Sequence, residues 1–358
     1  MWVGKPQNTR RAGVIVFCFA ISLTIWLNLP WLTLEVRKYY PLMSSFGHES
    51  QNTSVANTTL GVQRIFVVSS EDPSDPTSWR QKGLVAAANR TDLLLEIVSA
   101  RNLQAWEVEE IDAQSKGSSQ AWAAHNRALR QIIHENITIA IIMEDDVDWD
   151  INIRKLLAPS AQIAESTRTL TKSNRALDIA SWPYGNQFDV FWLGHCGGRL
   201  MDSQPNITFL DESVLPASEL AVWDKKPYNG APDGYRGVRM KSGVVCSFAY
   251  AVTSSSAAKL LERRKNHEVA FDVEMNNACG GDLRCLTVQP ELFHQQRMVG
   301  GRGSLIGEAD EGKHGEMAGE RPVTFNIRYS ARCNAGHNNS DIVQCLPGSE
   351  DHQRFNGR

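Results

Sequence analysis

Five carboxylates stand within seven positions of this chain: Glu144, Asp145, Asp146, Asp148 and Asp150. No Lys or Arg lies among them, and the run that leads into them, "ITIAIIM" from Ile137 to Met143, is almost wholly apolar. Crowded carboxylates repel one another, so solvent or a cation must make the crowding tolerable. Oxygen-only clusters suit hard cations such as Mn2+ or Mg2+, which keep part of their water shell and also bind phosphates. Glu144 and Asp146, two positions apart at a strand end, can both reach one ion. Such an ion can neutralise a diphosphate and stabilise the charge that develops as it leaves.

The elements around the cluster read as an α/β unit. "VQRIFVVSS" (Val62–Ser70) and "LLLEIVSA" (Leu93–Ala100) are strand candidates, with the helical "RQKGLVAAANR" between them. A long helix follows Gly117, with Ala121, Ala128, Leu129, Ile132 and Ile133 on one face. The apolar strand comes directly after it. Strand, helix, strand, helix, strand is the order of a mostly parallel sheet, whose buried strands read as continuous apolar runs. Ligands of such sheets bind beyond the carboxyl ends of the strands, where these carboxylates lie. "FDVFWLGHCGG" (Phe188–Gly198) supplies another strand with a Gly-rich exit that carries His195. "VVCSFAYAVTSSSAAKLLERR" reads as a strand and then a helix started by a Ser cluster.

Composition narrows the class. The chain has 358 residues, is 42% hydrophobic and carries a net charge of −3, so no basic face points to nucleic acid as a partner. From Val14 to Leu34 there is no charged residue, a length that spans a bilayer as a helix. Lys5, Arg10 and Arg11 precede it, which predicts a cytosolic N-terminus and a luminal body. The expected organisation is a tail (1–13), a membrane anchor (14–34), a polar stem (35–60), a catalytic domain (61–330) and a loosely ordered C-terminal tail (331–358). Sequons begin at Asn52, Asn57, Asn89, Asn136, Asn206 and Asn338. Asn52 and Asn57 are the expected glycosylation sites, and Asn136 reads as too close to the core. Beyond Cys18, six cysteines remain, and an oxidising lumen allows three disulfides among them. Cys279–Cys285 and Cys333–Cys345 are the local pairings. Cys196 and Cys246 are left as a pair or as buried thiols.

The blocks "LGVQRIFVVS", "AWAAHNRALRQIIHENITIAIIMEDDVDWD", "FDVFWLGHCGG", "CSFAYAVTSSSAAKLL", "FDVEM" and "TVQPELFHQQR", in this order, resemble glycosyltransferase family 25, especially its fungal branch. That family includes bacterial lipooligosaccharide galactosyltransferases and collagen β-galactosyltransferases, which invert the sugar configuration. The resemblance covers roughly residues 60–330. It implies a GT-A-like nucleotide-sugar-binding fold with a mostly parallel central sheet, a UDP-sugar donor (UDP-galactose foremost) and a glycan or glycoprotein acceptor. It places the enzyme in the Golgi or ER. Glu144, Asp145 and Asp146 then take the position of that fold's metal motif. Glu144 and Asp146 are the expected metal ligands, with His294 completing the shell. Asp145 is expected to turn away, towards the nucleotide ribose or the backbone, and His195 to touch the donor.

An inverting transfer needs a carboxylate to take the acceptor's proton, and Asp272 matches the family's position for it, with Glu274 next. Asp148 and Asp150 read as surface or helix-capping residues. His125 and Tyr250 read as core. The chain departs from the family after its first strand, where "SEDPSDPTSWR" offers Arg80 alone in place of an Arg-rich stretch. Gln120-Ala121 and Ala124-His125 also stand where relatives carry Gly-Cys and Ser-His. These departures motivate a second expectation, a catalytically silent luminal binding protein on the same fold. A metal-dependent phosphohydrolase ranks last, because it wants more grouped His and Asp ligands.

Overall fold

The computed structural model describes residues 57–71, 78–109, 116–157, 188–196, 206–220, 233–240, 243–263, 269–297, 322–337 and 341–345. The chain divides into two compact units, Met1–Gln51 and Asn52–Arg358. The first, with the uncharged segment 14–34, lies outside the described residues. Among the described residues no helix is long and apolar enough to cross a membrane.

The second unit begins with β1 (Arg64–Ser69), α1 (Trp79–Thr91), β2 (Glu96–Ser99), α2 (Ala105–Glu109), α3 (Lys116–His134), β3 (Ile139–Glu144) and β4 (Val147–Trp149). It continues with α4 (Ile153–Leu156), β5 (Val190–Gly194), β6 (Asn206–Leu210), β7 (Tyr235–Met240), β8 (Ala249–Thr253), α5 (Ser254–Glu262) and α6 (Phe271–Gly280). Last come β9 (Cys285–Gln289), β10 (Phe293–Arg297), β11 (Val323–Thr324) and α7 (Ala331–Asn334). Eight strands form one sheet in the order β2-β1-β3-β8-β5-β9-β7-β6, and β11-β10-β4 form a second, small sheet.

The apolar run of β3 has a plain cause: both faces are covered. Ile139, Ile141 and Met143 pack with Leu84 and Ala87 of α1, while Ala140 and Ile142 pack with Trp122, Leu129 and Ile132 of α3. Alternation along the strand sends successive side chains to opposite cores. On α3 the buried face runs through Trp122, His125, Leu129 and Ile132, whereas Ile133, expected inside, is 38% exposed. Helix α5 starts as expected from its hydroxyl cluster, with Thr253 and Ser256 forming a capping box.

The sheet corrects the expectation of a mostly parallel one. β2, β1 and β3 run parallel, as does the pair β5 and β9. The other four pairings, β3 with β8, β8 with β5, β9 with β7 and β7 with β6, are antiparallel. The architecture is a mixed α/β fold whose large sheet is antiparallel in most of its pairings. A run that is apolar on both faces reports burial and says nothing of direction. β8 enters the sheet running against both of its neighbours, β3 and β5.

Two boundaries also move. Leu60, expected in the stem, is fully buried in the core. Ala331–Asn334, placed in the C-terminal tail, form α7, whose Arg332 is only 8% exposed. Of the sequons, Asn136 is exposed rather than tucked against the core, and Asn57 Oδ1 accepts from the backbone N–H groups of Thr59 and Gly61 at 2.9 and 2.8 Å. Asn52 lies outside the described residues.

Candidate active site

The chain leaves the large sheet at Glu144, turns through Asp145 and Asp146, and enters the small sheet at Val147. The corner is pinned from both sheets. Glu144 N donates to Phe248 O at 3.0 Å, and Gln296 N donates to Asp146 O at 2.9 Å. The three acids therefore sit on backbone held by both sheets, which is the rigidity a site needs.

Three arginines from remote segments converge on this corner. Arg80, at the start of α1, reaches Asp145 Oδ1 at 2.6 Å and Asp146 Oδ2 at 2.8 Å through the same Nη1, and Glu71 lies 3.5 Å from its Nε. Burial opposes the charge on Arg80, but Asp146 and Asp145 outweigh it and raise its pKa. Arg332 spends its guanidinium on backbone, donating to Asp145 O at 2.6 Å, Val147 O at 2.8 Å and Arg80 O at 3.2 Å. Its path crosses α1 over Gly83, where any side chain would collide with the guanidinium. Arg297, the last residue of β10, is 9% exposed, and its Nε has no hydrogen-bond partner among the described residues. Burial lowers its pKa, partly offset by Asp146.

The acids differ in their partners. Asp145 also accepts from Ser69 Oγ at 2.5 Å on its Oδ2, so Arg80 and Ser69 engage both of its oxygens. Asp146 Oδ2 accepts from Gln295 Nε2 at 2.7 Å, while its Oδ1 is buried with no partner among the described residues. Glu144 Oε1 accepts from Ser247 Oγ at 2.7 Å. Burial, and next the Asp146 charge, push the Glu144 carboxyl up to about 8.

Ser247 continues inward. His125 Nε2 lies 3.4 Å from its Oγ, and His125 Nδ1 lies 3.1 Å from the Tyr250 hydroxyl. His125 is stacked on Phe271 at 4.2 Å, and burial lowers its pKa to about 3. It is the neutral core histidine that the sequence implied.

Asp272 lies in the first turn of α6, half-buried, and its Oδ2 accepts from Cys246 N at 2.6 Å. It is close enough to help raise Glu144. Glu274 is elsewhere: positions two apart on a helix point to opposite sides, and Glu274 pairs with Arg263 at 3.3 Å. It therefore drops out as a second base. The Cys196–Cys246 disulfide ties the exit of β5 to the loop that holds both Asp272 and Ser247, and Cys279–Cys285 and Cys333–Cys345 complete the three bridges.

The two remaining histidine expectations are corrected. His294 Nδ1 lies 2.8 Å from Glu291 Oε1, and its ring packs edge-on to Phe248. Because Gln295 faces Asp146, strand alternation turns His294 to the other side of β10. His195 is fully buried, its Nε2 2.9 Å from Val288 O, and burial lowers its pKa. Neither reaches the acids.

A divalent ion can be tested against this donor set. Among the described residues, no group of three or more His, Cys, Asp or Glu side chains is arranged to hold a metal. Yet a buried carboxylate oxygen without a partner is costly, and Asp146 Oδ1 is one, beside Glu144. Mg2+-like ions are held by one or two carboxylates with water and substrate phosphate as the rest. The residues fit an ion of that kind, with Asp146 and Glu144 as its protein ligands. A cavity of about 460 Å3 lined by Lys155, Phe209, Glu212 and Tyr329, among others, contains none of these acids.

No family model and no curated protein matches this chain. Among solved structures it is similar to A197 from STIV, at 14% identity over 66% of this chain and 84% of that one, with a TM-score of 0.31. A likeness this loose carries no argument about what the chain does.

Sequence reasoning missed Arg297, Arg332 and Ser247, and undervalued Arg80. One signal was present. "FHQQR" is a strand of four polar residues in five, and all five are buried. A buried polar strand has to face other polar groups.

Proposed function

We propose that this chain is a glycosyltransferase that moves a sugar, galactose by resemblance, from a UDP-sugar to a glycan or glycoprotein acceptor with inversion. The observation that carries the reading is the corner of β3 and β4. A partnerless buried oxygen of Asp146 stands there beside Glu144, with the unsatisfied Nε of Arg297 close by. A spare acceptor and a spare donor suit a cation–diphosphate pair, since a cation answers the first and a phosphate oxygen the second. Three disulfides agree with an oxidising compartment such as the ER or Golgi lumen.

In this reading Asp146 and Glu144 hold a Mn2+ or Mg2+ ion, which would supply charge neutralisation for the leaving diphosphate. Arg332 keeps the acid-bearing turn in place through three backbone carbonyls. Asp272 takes the proton of the acceptor hydroxyl. That oxygen forms its bond to the anomeric carbon as the bond from this carbon to the diphosphate breaks. The N–H of Cys246 orients Asp272 and leaves its second oxygen for the acceptor.

A silent binding protein is the second reading, favoured by Arg80, which already neutralises Asp145 and Asp146. One measurement separates them. The full chain, incubated with a panel of UDP-sugars, should release UDP in the presence of Mn2+ and stop on chelation. Thermal stabilisation by UDP without any turnover, with or without acceptors, would favour the second reading.

A further inference from the structure

We propose that Arg80 is an exchangeable counter-cation: it neutralises Asp145 and Asp146 in the empty site and turns to the donor's diphosphate when a divalent ion binds Asp146. The inference rests on the nucleotide-sugar reading of the site. It deepens that reading by naming the residue that couples ion binding to nucleotide binding.

The geometry of the Arg80 contact is the first reason. One nitrogen, Nη1, approaches both Asp145 Oδ1 and Asp146 Oδ2, at 2.6 and 2.8 Å. That point, shared by two carboxylates, is a cation position, and a guanidinium fills it. An ion that binds Asp146 puts two positive charges next to this nitrogen, and the like charges repel. Arg80 or the ion must yield.

The second reason is the contrast with Arg332. Arg332 donates to three backbone carbonyls, and moving it would leave buried acceptors unpaired. Among the described residues the guanidinium of Arg80 meets the side chains of Asp145, Asp146 and Glu71, and it lies 5.1 Å from the Trp79 ring centre. Carboxylate side chains can pass to an incoming ion without orphaning any backbone group. The cluster is therefore built with one arginine that stays and one that is free to change partner. Arginine is suited to the second state as well, because its planar fork pairs with phosphate oxygens in two places. Arg297, with its unsatisfied Nε, stands near Asp146 and Glu144 as a second donor for the same anion.

The third reason is the pair of unmet groups. Among the described residues Asp146 Oδ1 lacks a donor, and Arg297 Nε lacks an acceptor. A divalent ion alone answers the first, and a diphosphate alone answers the second. Only both together satisfy the site, so the two ligands should bind with positive coupling.

The test is a calorimetric titration of Mn2+ into the metal-free full chain, with and without UDP. In the parent, UDP should strengthen Mn2+ binding about tenfold or more, within the usual span of coupling between two sites. In Arg80→Gln, Mn2+ without UDP should bind about tenfold more tightly than to the parent, and UDP should strengthen it by less than it does in the parent. Should that variant fail to fold, Arg80→Lys carries the test. A single ammonium holds one carboxylate less firmly than the fork, so Mn2+ binding without UDP should still strengthen. Equal Mn2+ affinities in parent and variant overturn the proposal and leave the nucleotide-sugar reading standing. Absence of Mn2+ binding in parent and variant alike, even with UDP, overturns both.

Discussion

Asp146 and Asp148 lie two residues apart, are both buried, and differ in everything else. Asp148 is completely enclosed and fully served: it accepts from Trp149 N at 2.8 Å, Arg332 N at 3.1 Å, Thr324 Oγ1 at 2.7 Å and the Ser330 hydroxyl. Its four donors come from β4, β11 and the start of α7, so it ties the C-terminal segment to the sheet. Among the described residues Asp146 has Arg80 and Gln295 on one oxygen and nothing on the other. A carboxylate with every lone pair answered is structure. One that folding leaves half unanswered is where a ligand should go.

The same contrast recurs in Asp272 and Glu274, and it gives the largest predicted effect. General-base catalysis contributes about 10²–10⁴-fold, so Asp272→Asn should lower transfer to the acceptor by that order. Glu274→Gln should leave the rate within a factor of a few, because its partner is Arg263. Transfer assays on both variants check this, and equal losses would erase the distinction.

Next in size is stability. Asp148→Ala strands four donors and should cost about 3–5 kcal/mol in urea denaturation. Asp146→Asn should cost less than about 1 kcal/mol, since Arg80 keeps Asp145 and the amide oxygen still serves Gln295. Its turnover should nonetheless collapse. A destabilised, active Asp146 variant would reverse the assignment of the two acids.

The disulfides offer a smaller contrast. Cys196–Cys246 closes 50 residues and Cys279–Cys285 only 6, so chain entropy assigns about 4 and about 2 kcal/mol to them. Paired Cys→Ser variants measured by denaturation should differ by that gap. The first should also slow transfer, because its loop holds Asp272 and Ser247. The second should not.

The smallest effect is a pH slope. His125 has its pKa lowered to about 3 by burial, against 6.5 in the unfolded chain. A depressed histidine stabilises the fold above the unfolded value, and that contribution is lost as pH falls from 6.5 towards 3. The loss amounts to roughly 1 kcal/mol per pH unit within this window. Relative to His125→Gln, the parent should therefore weaken between pH 6 and 5. Parallel stability curves would show that His125 is charged in the fold.

Much of this architecture was legible before any coordinates. Burial on both faces of β3, the acids at its end, the capping hydroxyls of α5, the neutral His125 and two of the three disulfides follow from apolar runs, short spacings and local hydrogen bonding. Those signals act within a few residues. The tertiary structure alone decided the rest. It set the direction of β8, since a doubly buried strand looks the same run either way. It built the 331–334 segment into the site and turned His294 away from it. It also named the cation for Asp145 and Asp146, which have no basic residue beside them in sequence. Arg80 lies 65 positions from the Asp145 carboxylate it pairs with, and Arg332, which donates to the Asp145 backbone carbonyl, lies 187 from it on the other side. Charges pair through space, and no pattern along the chain records which distant guanidinium a fold will bring to a strand end.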